Sequence, residues 1–318
     1  MSNQKPVGIL TATKINDAGA PAHVLASKLN GDLLLYQLGN MDTVSSQITL
    51  DTGVLSSCWH PTSNTKAYTG NLDGTIWDVD LEKSIVNPMN SSHLLGVRKL
   101  MFLDENQILS GSWDKSLALT DIRSPLNHKY RVGLPGKVLA MDSSFNSYET
   151  VVSMTDRIIH VYDKRDFSKP VNVRESGLRY QVRDLKILPN RKGYATCSIE
   201  GKASIEYFSE QDLHLNYAFK CHRTPQQEVD LVSPVNCIQF DERERLFTGG
   251  SDCRICEWNY HEKKRLKQFS KEPWPVLTMS IREKYLVYGL SDDGYKNMVS
   301  ERNEYSVEES SVGLKILD

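Results

Sequence analysis

Residues 235–259 read VNCIQFDERERLFTGGSDCRICEWN, and this stretch decides the fold. It opens on Val235, carries Ile238 three places on, reaches an acidic turn residue at Asp252, and ends on the dipeptide Trp258-Asn259. Working outward, the same opening recurs as VLSSCW at Val54, VRKLMF at Val97, VLAM at Val138, VRDLKI at Val182 and VLTM at Val276, with spacings of 43, 41, 44, 53 and 41 residues. Each of the first five valines is followed after 17 to 19 residues by a turn acid: Asp73, Asp114, Asp156, Glu200 and Asp252. Asn30 holds the equivalent place in an earlier unit. Two anchors that keep phase over the chain mark a repeated supersecondary unit.

Between the anchors lie alternating runs of strand-formers, KAYTG, SLALTD, RIIHVYD and ASIEYF, separated by Gly, Asn, Asp and Ser clusters at hairpin distances. A unit of about 42 residues with this pattern supplies four short antiparallel strands, the size of one propeller blade. The expectation is a single all-β domain over 1–318, a β-propeller of seven blades, with 209–233 inserted between blades and 295–311 forming an acidic loop in the last blade. The final VGLKILD suits a closing strand, and the first and last blades are expected to share strands, because an open sheet edge invites aggregation.

Composition excludes several classes. With 38 Lys+Arg against 40 Asp+Glu, the net charge of −2 gives no overall pull toward nucleic acid or anionic lipid. The longest apolar runs, such as 285–290, fall far short of the roughly 20 residues that span a bilayer, and MSNQKPVGIL carries no readable secretory signal, so an intracellular protein is expected. Six scattered cysteines suit free thiols better than a disulfide framework. Cys253-x-x-Cys256 lacks a second pair at finger spacing, and no phosphate-loop, nucleophile-elbow or zincin motif occurs, so neither metal, cofactor nor catalysis is expected. His60, His93 and His222 read as hydrogen-bonding turn residues.

If the blades superimpose, two rings of residues share one loop face. The residues just before the turn acid are Leu29, Leu72, Trp113, Thr155, Ile199 and Ser251, and those just after the opening valine are Leu55, Arg98, Leu139, Arg183, Asn236 and Leu277. Trp113 beside two leucines reads as a partner's anchor, the alternative being burial under a neighbouring blade. Arg183 suits a bidentate pair with a partner's carboxylate, the alternative being an internal pair with Asp184 or Glu200. From Arg174 to Arg223 nine basic residues face six acidic ones, and Lys202, Lys220 and Arg223 together suit an acidic or phosphorylated peptide.

RESGLRYQVRD (174–184), GYATCSIEGKASIEYF (193–208), YAFKCHR (217–223), SPVNCIQF, FTGGSD and KKRLKQF (263–269) closely resemble the spindle-checkpoint WD-repeat propellers, the third family of the Bub (budding uninhibited by benzimidazole) group. The resemblance is dense over 174–270, is supported by SGSWDKS around Trp113 and by SDDGYKN, and is faint over the first 90 residues. It implies a non-catalytic, cofactor-free adaptor, a monomer within hetero-complexes, with no direct DNA or membrane contact. Such an adaptor holds GLEBS motifs of the Bub kinase and its checkpoint paralogue and docks them on phosphorylated MELT repeats of a kinetochore scaffold. The place implied is the nucleus, the kinetochore in mitosis, and also the cytoplasm. Carried over, Trp113 and Arg183 grip the GLEBS motif with Leu29 and Tyr180, while Lys202 and Lys220, with Arg223 beside them, meet the phosphothreonine. The family's first-blade tryptophan is replaced in Lys28-Leu29-Asn30, lysine stands at 202 where arginine is common, and the extra strand that opens relatives is not legible before Val7. The related messenger-RNA export propellers, which hold a nucleoporin GLEBS motif, are the alternative, though contact with RNA would call for a more basic face.

Overall fold

The computed structural model describes residues 9–16, 22–89, 93–124, 128–144, 148–227, 229–292 and 310–318. Each opening valine starts the innermost strand of a sheet: Val54–Trp59, Val97–Phe102, Val138–Ser143, Val182–Ile187, Val235–Phe240 and Val276–Arg282, with Leu10–Ile15 taking the same place in the first blade. Three further antiparallel strands add outward in chain order in blades one to six, and two do so in blade seven. The innermost strands pack side by side in a ring, and Leu10–Ile15 touches both Val54–Trp59 and Val276–Arg282, so the circle closes as a propeller of seven blades.

Closure is made differently from the expectation. Among the described residues the first blade draws all its strands from the N-terminal segment, and the last holds three from the C-terminal segment, ending with Ser310–Ile316. Among the described residues no strand is shared between them. The seam is instead held by side chains: Thr13 Oγ1 lies 2.8 Å from Thr278 Oγ1, the Ile15 amide donates to Ser280 Oγ at 3.2 Å, and Arg282 donates to the Asn16 carbonyl. A cluster joining Leu10, Val24, Leu34 and Tyr36 to Val287, with Val312 and Leu314 packed on it, seals the same seam.

Within 209–233, Glu210–Leu215 is a 3-10 turn and Tyr217–Lys220 pairs with Lys202–Tyr207 as the outer strand of blade five. Only the hairpin Arg223–Gln226/Val229–Val232 stands between blades. The expected acidic loop at 295–311 lies outside the described residues, apart from Ser310 and Ser311, which begin the last strand.

The repeat has a packing cause. Val54, Val97, Val138, Val235 and Val276 are all 0% exposed, each burial stabilising by about 1.5–3 kcal/mol. Three of them press on a glycine of the preceding blade: a Cβ at Gly70, Gly111 or Gly249 would lie 2.6, 2.9 or 2.6 Å from Cγ1 of Val97, Val138 or Val276. Two of the turn acids are fixed by histidines arriving from the preceding blade's end. In blade six, His222 Nδ1 meets Asp252 Oδ1 at 2.7 Å, its Nε2 meets Thr248 Oγ1 at 2.8 Å, and Trp258 Nε1 donates to the same hydroxyl at 3.0 Å. In blade three, His93 bridges Asp114 and Ser110 in the same way, at 3.2 and 2.7 Å. His93 and His222 thus form hydrogen bonds as expected, but as buried links between blades, whereas His60 serves its own turn, accepting from the Thr62 amide.

Carboxylates tie neighbouring inner strands along the axis. Asp142 in blade four accepts from the Ile187 amide at 2.8 Å and pairs with Lys186 at 3.3 Å. Asp184 in blade five accepts from the Ile238 amide at 3.2 Å and pairs with Lys99 at 2.9 Å. Burial pushes the Asp184 carboxyl up, but Lys99, Lys186 and its hydrogen bonds outweigh burial and hold it below the usual carboxylate range.

Two outcomes follow from these bonds. His222→Ala strands the Asp252 carboxylate and the Thr248 hydroxyl and should cost about 2–4 kcal/mol in guanidinium unfolding; a loss under about 1 kcal/mol would contradict the network's role. Asp184→Asn removes a buried carboxylate from the half-buried Lys99 and should cost about 1–3 kcal/mol near neutral pH. Because the folded carboxyl titrates below its unfolded value of about 3.9, its contribution is present above that pH and vanishes as pH falls through the folded value. The gap between wild type and variant should therefore close on acidification, as measured by unfolding at a series of pH values.

Candidate functional site

The two rings expected on one face are built by backbone geometry. Every innermost strand slips register after its first residue, so that one residue is skipped in the pairing: Thr11, Leu55, Arg98, Leu139, Arg183, Asn236 and Leu277. A bulge bends the strand and re-aims the unpaired side chain, here off the sheet and toward the axis. The other ring is tied to it by one bond per blade. The amides of Leu29, Leu72, Trp113, Thr155, Ile199, Ser251 and Ser291 donate to the carbonyls of Ile9, Gly53, Gly96, Lys137, Gln181, Pro234 and Pro275, each the residue before an inner strand or at its edge.

Between the rings lies a groove of about 320 Å³. Its apolar wall is Ile9, Leu29, Leu55, Leu72 and Trp113, and Arg98, Arg183 and Asn236 line it too. Trp113 is half-buried, and its ring is seated on a bare patch of backbone: a Cβ at Gly96 would lie 3.0 Å from Cε3 of the indole. Burial of Trp113 as core is therefore not what the fold does with it. Arg183 is half-buried and donates to Asn236 Oδ1 at 3.3 Å. The carboxylates considered for it are engaged elsewhere, Asp184 with Lys99 and Glu200 with Lys202.

Lys202, Lys220 and Arg223 gather around Glu200 at the edge of blade five. Lys202 and Lys220 face each other across the outer strand pair. Lys202 Nζ sits 2.8 Å from Glu200 Oε2, and Arg223 Nη2 donates to the Glu200 carbonyl at 3.0 Å while its Nη1 is 3.9 Å from Asp230. Lys220 is exposed. Tyr180 does not line the groove; it is 51% exposed on the turn before blade five. That turn is pinned to the basic patch by the Arg179 amide, which donates to Glu200 Oε1 at 3.1 Å.

Sequence reasoning missed the contribution of Ile9, Leu10 and Thr11 to the groove, because the first inner strand opens on Ile9-Leu10 rather than valine. It also missed the charged residues along the axis, which lie on inner strands one or more places beyond the bulge. Cys253 occupies a turn and Cys256 is buried in the strand that follows, and no group of three metal-ligating side chains occurs among the described residues.

Comparison with known proteins fits this geometry. Residues 219–259 match the family "WD domain, G-beta repeat". The chain is 33% identical over 260 residues to the mitotic checkpoint protein bub3 of Dictyostelium discoideum, covering 80% of this chain and 74% of that one. It is 32% identical over 264 residues to the spindle assembly checkpoint protein bub3 of Schizosaccharomyces pombe, covering 81% and 80%. Similarity to the mRNA export factor GLE2 of Chaetomium thermophilum is 35% over 163 residues, but spans only 51% of this chain and 45% of that one. With the repeat, the closed ring of seven blades and similarity over about four fifths of the chain in agreement, the chain belongs to the bub3 family of mitotic checkpoint WD-repeat proteins.

Proposed function

We propose that this chain is a non-enzymatic spindle-checkpoint adaptor that uses the axial groove to hold GLEBS motifs of the Bub kinase and its checkpoint paralogue, and the basic patch to dock them on phosphorylated MELT repeats of a kinetochore scaffold. The observation that carries the reading is the groove itself, in which Leu29, Leu72 and Trp113 face Arg98 and Arg183. An extended peptide with apolar side chains and a glutamate finds both complements there, and a guanidinium gives that carboxylate a bidentate partner. Leu29 supplies area where the family's tryptophan would stand, without the flat ring, so Trp113 is the dominant anchor. The patch around Lys202, Lys220 and Arg223 carries three cations against Glu200 and Asp230. A phosphate dianion outcompetes a carboxylate for Lys202 because it brings more charge and three acceptor oxygens. On this reading the protein works in the nucleus and at the kinetochore in mitosis, with a cytoplasmic pool, and contacts neither DNA nor membrane.

Calorimetric titration tests both halves. GLEBS peptide should bind the wild type, and the loaded protein should then bind phosphorylated but not unmodified MELT peptide. Trp113→Ala, at a half-exposed position, should lose at least about 2 kcal/mol of GLEBS affinity, roughly thirtyfold, with unchanged unfolding; retained affinity would remove the anchor assignment. Lys202→Glu should weaken phosphopeptide binding by at least about tenfold while GLEBS binding stays as it was. Loss of both in Lys202→Glu would mean that the sites are not separable. If neither MELT form binds, the reading gives way to an export factor holding a nucleoporin GLEBS motif, to be tested with that peptide and RNA.

A further inference from the structure

Beneath the groove the inner strands enclose an axial channel, and its lining is cationic. Arg98 and Arg183 stand at the groove end; Lys14, Lys99 and Lys186 follow inward, where a neck of about 60 Å³ opens into a chamber of about 590 Å³ on the side of blades one to four. Against these five cations stand Asp142 and Asp184, both already engaged by a lysine and by the amide of the next blade. Glu105 is exposed on the chamber's rim. Lys14 is the exception among the lysines: no carboxylate among the described residues lies within ion-pair distance of its Nζ, and its neighbours Lys99 and Lys186 repel it. A desolvated, unpaired cation is costly. Three ammonium groups converging on one chamber make a complement for an anion, while the hydroxyls of Ser56, Ser57 and Ser143 are held in bonds within and between the blades.

We propose that this channel binds a small, multiply charged anion of the phosphate class, held by Lys14, Lys99 and Lys186. Pyrophosphate is the simplest ligand of that class, compact enough for the chamber and carrying the charge that the axis leaves uncompensated. This site is separate from the peptide groove and stands whether or not the groove holds GLEBS motifs.

Lys14 supplies a signature that diffuse surface attraction lacks. Burial lowers the Lys14 ammonium to about 8, with Lys186 and Lys99 adding to the effect and Asp184 and Asp142 opposing it. The other titratable group against it is the Cys58 thiol of blade two, which burial pushes up to about 12 and so keeps neutral. A bound anion stabilises the charged amine, so binding is strongest below about pH 8 and weakens as pH rises through and beyond it.

The test is calorimetry on the full chain in a low-chloride buffer. Pyrophosphate should bind wild type saturably with a single site, and Lys14→Gln should weaken it by at least about tenfold. Lys263→Gln, which removes an exposed cation stacked on the Tyr217 ring far from the axis, should leave affinity unchanged. Sulfate, whose charge is fixed, should lose several-fold in affinity between about pH 7 and about pH 9 with wild type but not with Lys14→Gln. The variant should be at least as stable as wild type, since it deletes an unpaired, half-buried charge, so a fold defect cannot imitate the loss. Absence of saturable binding at millimolar pyrophosphate, equal weakening by Lys14→Gln and Lys263→Gln, or a pH dependence that survives Lys14→Gln would each overturn the proposal.

Discussion

The contact between each inner-strand valine and the blade behind it is what the rest of the architecture rests on. Val97, Val138 and Val276 press so closely on Gly70, Gly111 and Gly249 that a methyl group at those glycines would collide. An inner strand has no second neighbour to pair with, so its blade is positioned by this packing and, in blades three and six, by the turn histidines rather than by sheet hydrogen bonds. Because the inner strand of every blade packs on the one before it, the ring closes on itself, and the first and last blades meet through Thr13, Thr278 and Ser280 with no common strand among the described residues.

The same valines generate the functional face. Seating the valine deep against the preceding blade leaves the next residue out of register, and the bulge turns that residue to the axis. Seven equivalent positions are thereby offered to selection; here they hold three leucines, two arginines, an asparagine and a threonine. The partner ring at Leu29, Leu72 and Trp113 is tied to the first by backbone bonds. Both walls of the groove are thus carried on the rigid frame rather than on mobile loops, so little ordering is left to be done when a peptide docks.

How much of this was legible follows from what repeats. Blades two to six could be read because the opening valine and turn acid are both dictated by packing and recur in phase. The first inner strand opens on Ile9-Leu10, which serves the same burial with other side chains and so breaks the pattern. Strand Tyr217–Lys220 was lost inside an apparent insertion because the hairpin that follows it stretches the spacing to 53 residues. Leu29, Trp113 and Arg183 were placed on one face by counting from the anchors, and the geometry agrees. Tyr180 lies outside any anchor-defined position, and its place depends on a turn tied to Glu200 that spacing does not reveal.

The axial charges escaped for a different reason, which bears on how charge should be read in such folds. A formal −2 spread along a sequence says nothing about which residues a closed ring will bring together. Lys14, Lys99 and Lys186 stand far apart in the chain, on blades one, three and five, and each taken alone reads as a solvated lysine. Closure moves them into one channel, partly withdrawn from solvent, where Coulomb interactions are screened less than they are at the surface. There the balance is local: two carboxylates are consumed in holding adjacent strands, and the surplus cations fix the sign of the potential inside the channel. Each carboxylate serves both a lysine and the next blade's amide, and the amide bond leaves its charge unchanged, so the cationic axis follows from the inner strands bringing together more lysines and arginines than carboxylates.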